Sequence, residues 1–150
     1  MHAFAPTVRY ANQADLGFVS QDSYVPNDTV RRKIEAREVL VAELETRAVG
    51  YLRIEYLWSK LPYIALIRVL PDYRRSGVGR ALLEFLEEEL RGAGYSLLLS
   101  SSEADEPEPQ AWHRRMGFSE CGRLEGINAG GVDEIFFRKD FPAQEQSYKR

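Results

Sequence analysis

The chain has 150 residues, 44% hydrophobic and 29% charged, the mix of one ordinary globular domain able to bury a core of its own. Its 20 basic and 23 acidic side chains leave a net charge of −3, so the basic excess of a nucleic-acid binder is missing. No apolar run approaches the roughly 18 residues of a membrane span, and one cysteine with two distant histidines, His2 and His113, makes a disulfide or a metal site unexpected.

Thr7–Tyr10 reads as a first strand. Asn12 or Asp15 caps a short helix to about Asp22, and Asn27 or Asp28 a second to about Ala36. Val39–Leu44 and Ala48–Tyr56, rich in Val, Leu and Tyr, flank Glu45-Thr46-Arg47 and predict a hairpin. Tyr63–Leu70 is nearly continuous in apolar residues, the pattern of a strand covered on both faces. Val78, Leu82, Phe85, Leu86 and Leu90 then repeat at helical spacing, with Arg80, Glu84, Glu87 and Arg91 on the other side and Gly92 and Gly94 at the end. Tyr95–Ser100 predicts a short buried strand, Glu103–Pro109 an acidic loop, and Gln110–Met116 a short helix stopped by Gly117. Glu120–Ile127 and Val132–Lys139 are the last strands, joined by Asn128-Ala129-Gly130-Gly131. Helices interleave with strands, so the class is α/β, layered. No repeat or linker divides the chain: one domain is expected over 1–142, followed by a C-terminal tail at 143–150.

The densest signal is Ile67–Leu82. A strand ends at Pro71, two arginines and Gly77-Val78-Gly79 follow, and the long helix starts there. Glycines let a backbone approach a ligand closely, and the first N–H groups of a helix attract anions. Arg74, Arg75 and Arg80 add charge suited to phosphate. The pattern predicts a pyrophosphate cradle; the plainer reading is a tight turn with solvated arginines. It is not a P-loop, since no Gly-Lys-Ser/Thr follows, and Leu82 stands where a dinucleotide fingerprint has its third glycine.

Arg74-x-x-Gly77-x-Gly79, preceded by Val69-x-Pro71-x-Tyr73, resembles the acetyl-CoA signature of the GNAT N-acetyltransferase superfamily. Ala111-Trp112-His113-Arg114-Arg115-Met116-Gly117-Phe118 resembles that family's later helix, with His113 where a tyrosine is typical. The resemblance runs over most of the chain, roughly Thr7 to Phe141. It implies an α/β (α+β) fold with a mixed, mostly antiparallel central sheet, helices on both faces, and a splayed cofactor cleft. It implies acetyl-CoA as cosubstrate and no metal. The backbone around Ile67 and Val69 would meet the pantetheine arm, and Arg74, Arg75, Ser76, Gly77, Val78, Gly79 and Arg80 would hold the pyrophosphate, mainly through N–H groups. An asparagine that the family often has near the start of the later helix is missing; Glu106 or a neighbour stands there.

The implied reaction is direct transfer: a neutral amine attacks the thioester and a thiolate leaves. That needs a group to take the ammonium proton, and it can use an acid for the thiolate. His113 is the candidate acid, or else a bystander or cofactor contact; Tyr56, Tyr63 and Tyr73 are further phenols. Glu55 is the first candidate base and Glu103 the second, each otherwise a solvated carboxylate. The acidic run Glu103–Glu108 either steers a cationic amine or is simply solvated. Trp58 and Trp112 line an acceptor pocket or pack, packing being favoured for Trp112, and Cys121 is expected as a small core residue. The expected activity is N-acetylation of a primary amine, of a small molecule first. Alternatives are a protein N-terminus or lysine as acceptor, and a CoA-binding module without catalysis. No nucleic-acid or membrane partner is expected, a homodimer is open, and the N-terminus, without a secretory signal, points to a cytoplasmic protein.

Overall fold

The computed structural model describes residues 5–142; His2 and the tail expected at 143–150 lie outside them. In chain order the elements are β1 (Thr7–Tyr10), α1 (Leu16–Val19), α2 (Asn27–Glu35), β2 (Val39–Leu44), β3 (Arg47–Leu57), β4 (Leu61–Val69), α3 (Val78–Gly92), β5 (Leu97–Glu103), α4 (Pro107–Arg115), β6 (Ser119–Leu124) and β7 (Glu134–Asp140). The strand order is β1-β2-β3-β4-β5-β7-β6. The pairs β1–β2, β2–β3, β5–β7 and β6–β7 are antiparallel, and β4–β5 is parallel, with Tyr63 opposite Leu99. This is the mixed, mostly antiparallel sheet expected. The chain gathers into two compact units: residues up to Glu55 with Ala65–Leu86, and Tyr56–Ile64 with residues from Glu87 onward.

In the first unit, β2 and β3 form the expected hairpin, Leu44 opposite Arg47. Both residues of its two-residue turn, Glu45 and Thr46, have positive φ (51° and 67°), as a turn matched to the strands' twist requires. Alternation along β3 sends its side chains two ways. Tyr51 faces Val19, Val30, Ile34, Val39 and Val41, with Phe18 edge-on at 5.5 Å. The other face is cut close to α3: a Cβ at Gly50 would stand 3.0 Å from the Arg68 carbonyl oxygen and 3.0 Å from Val78. That approach is why glycine is needed at position 50.

A buried ion pair ties the segment after α1 to β3. Arg53 grips Asp22 with both terminal nitrogens at 2.9 Å, and Tyr51 donates its hydroxyl to the same carboxylate at 2.8 Å. The side chains of Asp22 and Arg53 are 1% and 4% exposed. Burial alone would raise the Asp22 pKa. The Arg53 guanidinium, the Tyr51 hydroxyl and the Tyr24 N–H outweigh it and hold the carboxyl well below the usual carboxylate range.

In the second unit, β7 lies between β5 and β6. Lys139 of β7 meets Glu87 of α3 at 2.7 Å. Two expectations are corrected here. Glu103 closes β5 instead of opening a loop, and Pro107 stands in the first turn of α4, where its missing N–H has no intrahelical acceptor to lose. Cys121 is exposed, not core: β6 is the last strand in the sheet order, and all six of its residues are exposed.

Replacing Asp22 by Ala leaves the Arg53 charge buried without its counter-ion. The expected cost is ~3–5 kcal/mol, read from urea unfolding at pH 7. A depressed carboxyl stabilises the fold above the unfolded-state pKa and stops doing so as pH falls. The wild type is therefore expected to shed stability below about pH 4, and Asp22→Asn to shed less over that range.

Candidate functional site

The strand–turn–helix segment lies in the first unit. β4 ends at Val69, a 3-10 turn covers Pro71–Tyr73, and α3 begins at Val78. Arg74 Nε donates to the Val69 carbonyl at 3.1 Å, the Ser76 hydroxyl bonds the Tyr73 carbonyl, and the Arg47 guanidinium lies 5.9 Å from the Tyr73 ring centre. Arg75 and Gly77 have φ of 64° and 87°. This left-handed pair turns the chain sharply into the helix. The bond from the Ala81 N–H to the Gly77 carbonyl, 3.0 Å, starts the helical ladder. The N–H groups of Val78, Gly79 and Arg80 thus have no acceptor within the helix. Arg74, Arg75 and Arg80 are exposed, and nothing lies within 4 Å of the position a Cβ would take on Gly77. The arrangement is an open, cationic helix start that can bind an anion through backbone donors. Ile67 and Val69 are half-buried on the strand that feeds it.

His113 lies in the second unit and is not a surface residue: it is 3% exposed. Its ring stacks on Phe137 at 4.5 Å and 8°, with Phe118 and Trp112 each edge-on at 5.3 Å. Nδ1 is 2.8 Å from the Pro109 carbonyl and Nε2 is 2.7 Å from the Ser100 hydroxyl. A carbonyl only accepts, so Nδ1 carries the proton and Nε2 accepts from Ser100. Burial, helped by Arg114, outweighs the Pro109 carbonyl and Glu134 and pushes the imidazole pKa down to about 4. At neutral pH the ring is uncharged and both nitrogens are occupied. That is the chemistry of a structural histidine, not of an imidazolium acid.

The two carboxylates picked from the sequence fall in different units. Glu55 is exposed near the end of β3. Glu103 ends β5, half-buried and directly opposite Glu134 of β7. Partial removal from water, then the charges of Glu106, Asp105 and Glu134, raise its carboxyl above the ordinary value. Of the tryptophans, Trp112 is half-buried on α4, while Trp58 is 81% exposed in the turn after β3.

Beside Glu103 lies a set of side chains that sequence reasoning did not assemble. The Tyr63 hydroxyl is 2.7 Å from Ser101 Oγ, Ser101 donates to Glu134 at 2.6 Å, and Asn128 Nδ2 donates to the other Glu134 oxygen at 2.9 Å. Tyr63 stacks on Phe136, ring centres 5.7 Å apart. Alternation alone places Tyr63, Ser101 and Glu134 on definite faces of their strands, but the registers that bring those faces together are not in the local pattern. Among the described residues no group of His, Cys, Asp and Glu is arranged to hold a metal ion, and no helix is long and apolar enough to cross a membrane.

A model of the GNAT acetyltransferase family matches residues 6–118. An aminoglycoside N(6')-acetyltransferase type 1 from Stenotrophomonas maltophilia is 30% identical over 142 residues, covering 83% of this chain and 93% of the relative. The crystal structure of a ribosomal-protein-alanine N-acetyltransferase from Brucella melitensis superposes with a TM-score of 0.77 at 27% identity, over 90% of this chain and 99% of that one. The Salmonella typhimurium protein yncA, solved with its cofactor acetyl-CoA, has the same fold with a TM-score of 0.78 at 20% identity, over 95% of this chain and 98% of its own.

A histidine whose pKa drops on folding binds its proton more weakly in the native than in the unfolded chain, so stability falls as pH drops through that window. Between about pH 6.5 and pH 4 the loss is expected to reach roughly 3 kcal/mol. Urea unfolding at pH 7 and pH 4.5 measures it, and His113→Gln is expected to flatten the pH dependence.

Proposed function

Because the chain belongs to the GNAT acetyltransferase family and is an acetyl-CoA-dependent N-acetyltransferase, we propose that it acetylates the primary amine of a small cationic molecule. The residues present fit the cofactor. The observation that carries this is the helix start at Val78–Arg80, with its N–H donors, the open face of Gly77 and the flanking exposed arginines. Backbone donors of Gly77, Val78, Gly79 and Arg80 hold the pyrophosphate. Arg75 and Arg80 add charge, while Arg74 and Ser76 brace the turn through the Val69 and Tyr73 carbonyls. The backbone of β4 at Ile67 and Val69 orients the pantetheine arm. Bound acetyl-CoA supplies an activated acetyl thioester; the chain's own residues orient the reactants and take a proton from the incoming ammonium.

For the proton, Glu103 is the better placed of the two sequence candidates, because its surroundings raise its proton affinity. Glu55 is exposed and serves as an electrostatic contact for a cationic acceptor. His113 acts as a positioning residue: it fixes α4 against β5 and β7 through Ser100 and Phe137. The small-molecule acceptor is supported by the aminoglycoside-modifying relative, which matches most of the chain. It is supported too by the acidic stretch Glu103, Asp105, Glu106 and Glu108, which attracts cations. A protein N-terminal amine is the second reading, supported by the Brucella neighbour.

Titration calorimetry with acetyl-CoA tests the cradle. Wild type is expected to bind saturably. Gly79→Trp, folded by circular dichroism, is expected to bind at least about tenfold more weakly, a loss of ~1.4 kcal/mol. No binding by the wild type at millimolar acetyl-CoA would remove the assignment.

A further inference from the structure

We infer that Arg68 forms a carboxylate-binding site in the first unit, on the sheet face opposite α3 and separate from the cationic helix start. This second anion site stands independently of the transferase reading, because its occupation needs no acetyl-CoA.

Arg68 is the one charge in the apolar run Tyr63–Leu70. Its neighbours fix its face. Leu66, two residues before it, packs against the cluster of Tyr51, Val19 and Val41. Alternation along β4 puts Arg68 on that same face. Burial and then the Asp22 carboxylate raise the Tyr51 phenol, and the Arg68 charge works against them, which places the guanidinium near that hydroxyl. α3 lies on the other face: a Cβ on Gly50, the residue before Tyr51, would meet Val78 and Leu82. The Arg68 side chain therefore extends away from the N–H groups at Val78–Arg80.

The first unit gives each of its other buried or half-buried cations a carboxylate. Arg9 has Asp15 at 2.8 Å, Lys33 has Glu38 at 2.9 Å, and Arg53 has Asp22 at 2.9 Å. Arg68 is half-buried as well, yet among the described residues it has no ion pair, and its Nε is closed off from solvent without a hydrogen-bond partner. Asp22, on the same face, is already taken. Its Oδ1 accepts from the Tyr51 hydroxyl and Arg53 Nη1, and its Oδ2 from Arg53 Nη2 and the Tyr24 N–H. Those donors fill the lone pairs of the carboxylate. Arg53 and Arg68 thus share a face with one carboxylate, which is spent on Arg53, and one positive charge is left over.

A half-buried cation without a counter-ion costs folding free energy, and an anion that binds the folded chain offsets that cost. Nε is the only nitrogen of the Arg68 guanidinium closed off in this way, so its terminal nitrogens are reachable. Their parallel N–H groups match the two oxygens of a carboxylate. A carboxylate also brings the single negative charge that is missing, whereas a phosphate dianion would bring a surplus beside Asp22. The carboxylate belongs either to the acceptor, so that the small cation is a diamine with one carboxyl group, or to a separate small acid.

The test follows the NMR resonances of the Arg68 guanidinium in the full chain, without cofactor, as acetate replaces chloride at constant ionic strength. Arg68 is expected to shift saturably, half-saturating at roughly 10–100 mM, the strength of one charge-assisted pair. The exposed Arg32 is expected to show no saturation. Acetate is also expected to raise the thermal midpoint of the wild type above its value in chloride, and Arg68→Gln to abolish that rise. The source is read from transfer to ornithine and putrescine, which differ by the carboxylate. An acceptor-borne carboxylate gives a wild-type KM for ornithine at least about tenfold below that for putrescine, a ratio near one in Arg68→Gln, and an unchanged KM for acetyl-CoA. Equal KM values in the wild type, with acetate bound at Arg68, assign the site to a separate acid. If Arg68→Gln does not fold, the wild-type acetate titration decides alone. An Arg68 signal that moves no more than that of Arg32, or acetate stabilisation that persists in Arg68→Gln, would overturn the site. Wild type that binds no acetyl-CoA would overturn the transferase reading and leave the acetate result standing.

Discussion

A helix cannot bond its own first N–H groups, and the chain uses that deficit at the start of α3. The donors of Val78, Gly79 and Arg80 precede the first ladder bond, which runs from Ala81 to Gly77. What makes them useful is the turn before them. Arg75 and Gly77 take left-handed backbone conformations, Arg74 and Ser76 tie the loop to the Val69 and Tyr73 carbonyls, and no side chain rises over Gly77. The same helix then buries Val78 and Leu82 against the bare backbone of Gly50. One segment thus presents open backbone donors outward and anchors them to the core inward.

The second unit solves a different problem, that of holding polar groups in an apolar setting. On one face of β5, Ser100 and His113 satisfy each other, and the Pro109 carbonyl takes the remaining imidazole proton. The outcome is a neutral ring that serves packing. On the alternate residues of the same strand, Ser101 joins the Tyr63 hydroxyl to the Glu134 carboxyl group. Adjacent serines on β5, pointing opposite ways, thus each satisfy a separate set of polar side chains. The tyrosine typical of the family's later helix is replaced here by a neutral histidine whose one N–H is held by the Pro109 carbonyl.

How much of this was legible in the sequence follows from the range of each signal. The β2–β3 hairpin, the α3 stripe and the glycine turn are local patterns, and the structure has all three close to their expected places. The open, arginine-flanked helix start was legible for the same reason. His113 was not: nothing near it in sequence announces Ser100 and Phe137, which bury it from 13 and 24 residues away. Cys121 read as core because a small apolar residue in a strand usually is, yet its strand is at the end of the sheet order with all its residues exposed. The Asp22–Arg53 pair was invisible too, since two opposite charges 31 residues apart look like surface until burial shows otherwise. In each case the missing information was register, which side of a strand meets what, and hydrophobic pattern alone does not supply it.

The helix start of α3 is proposed to hold acetyl-CoA for acetyl transfer to a small cationic amine. The most direct measurement is thiol release from acetyl-CoA by the wild-type protein over a panel of polyamines, aminoglycosides and peptide N-termini, with product mass confirming one added acetyl group. Release that depends on the amine and is fastest with a small polycation is expected. Release that no amine stimulates, or that only peptides stimulate, would contradict it.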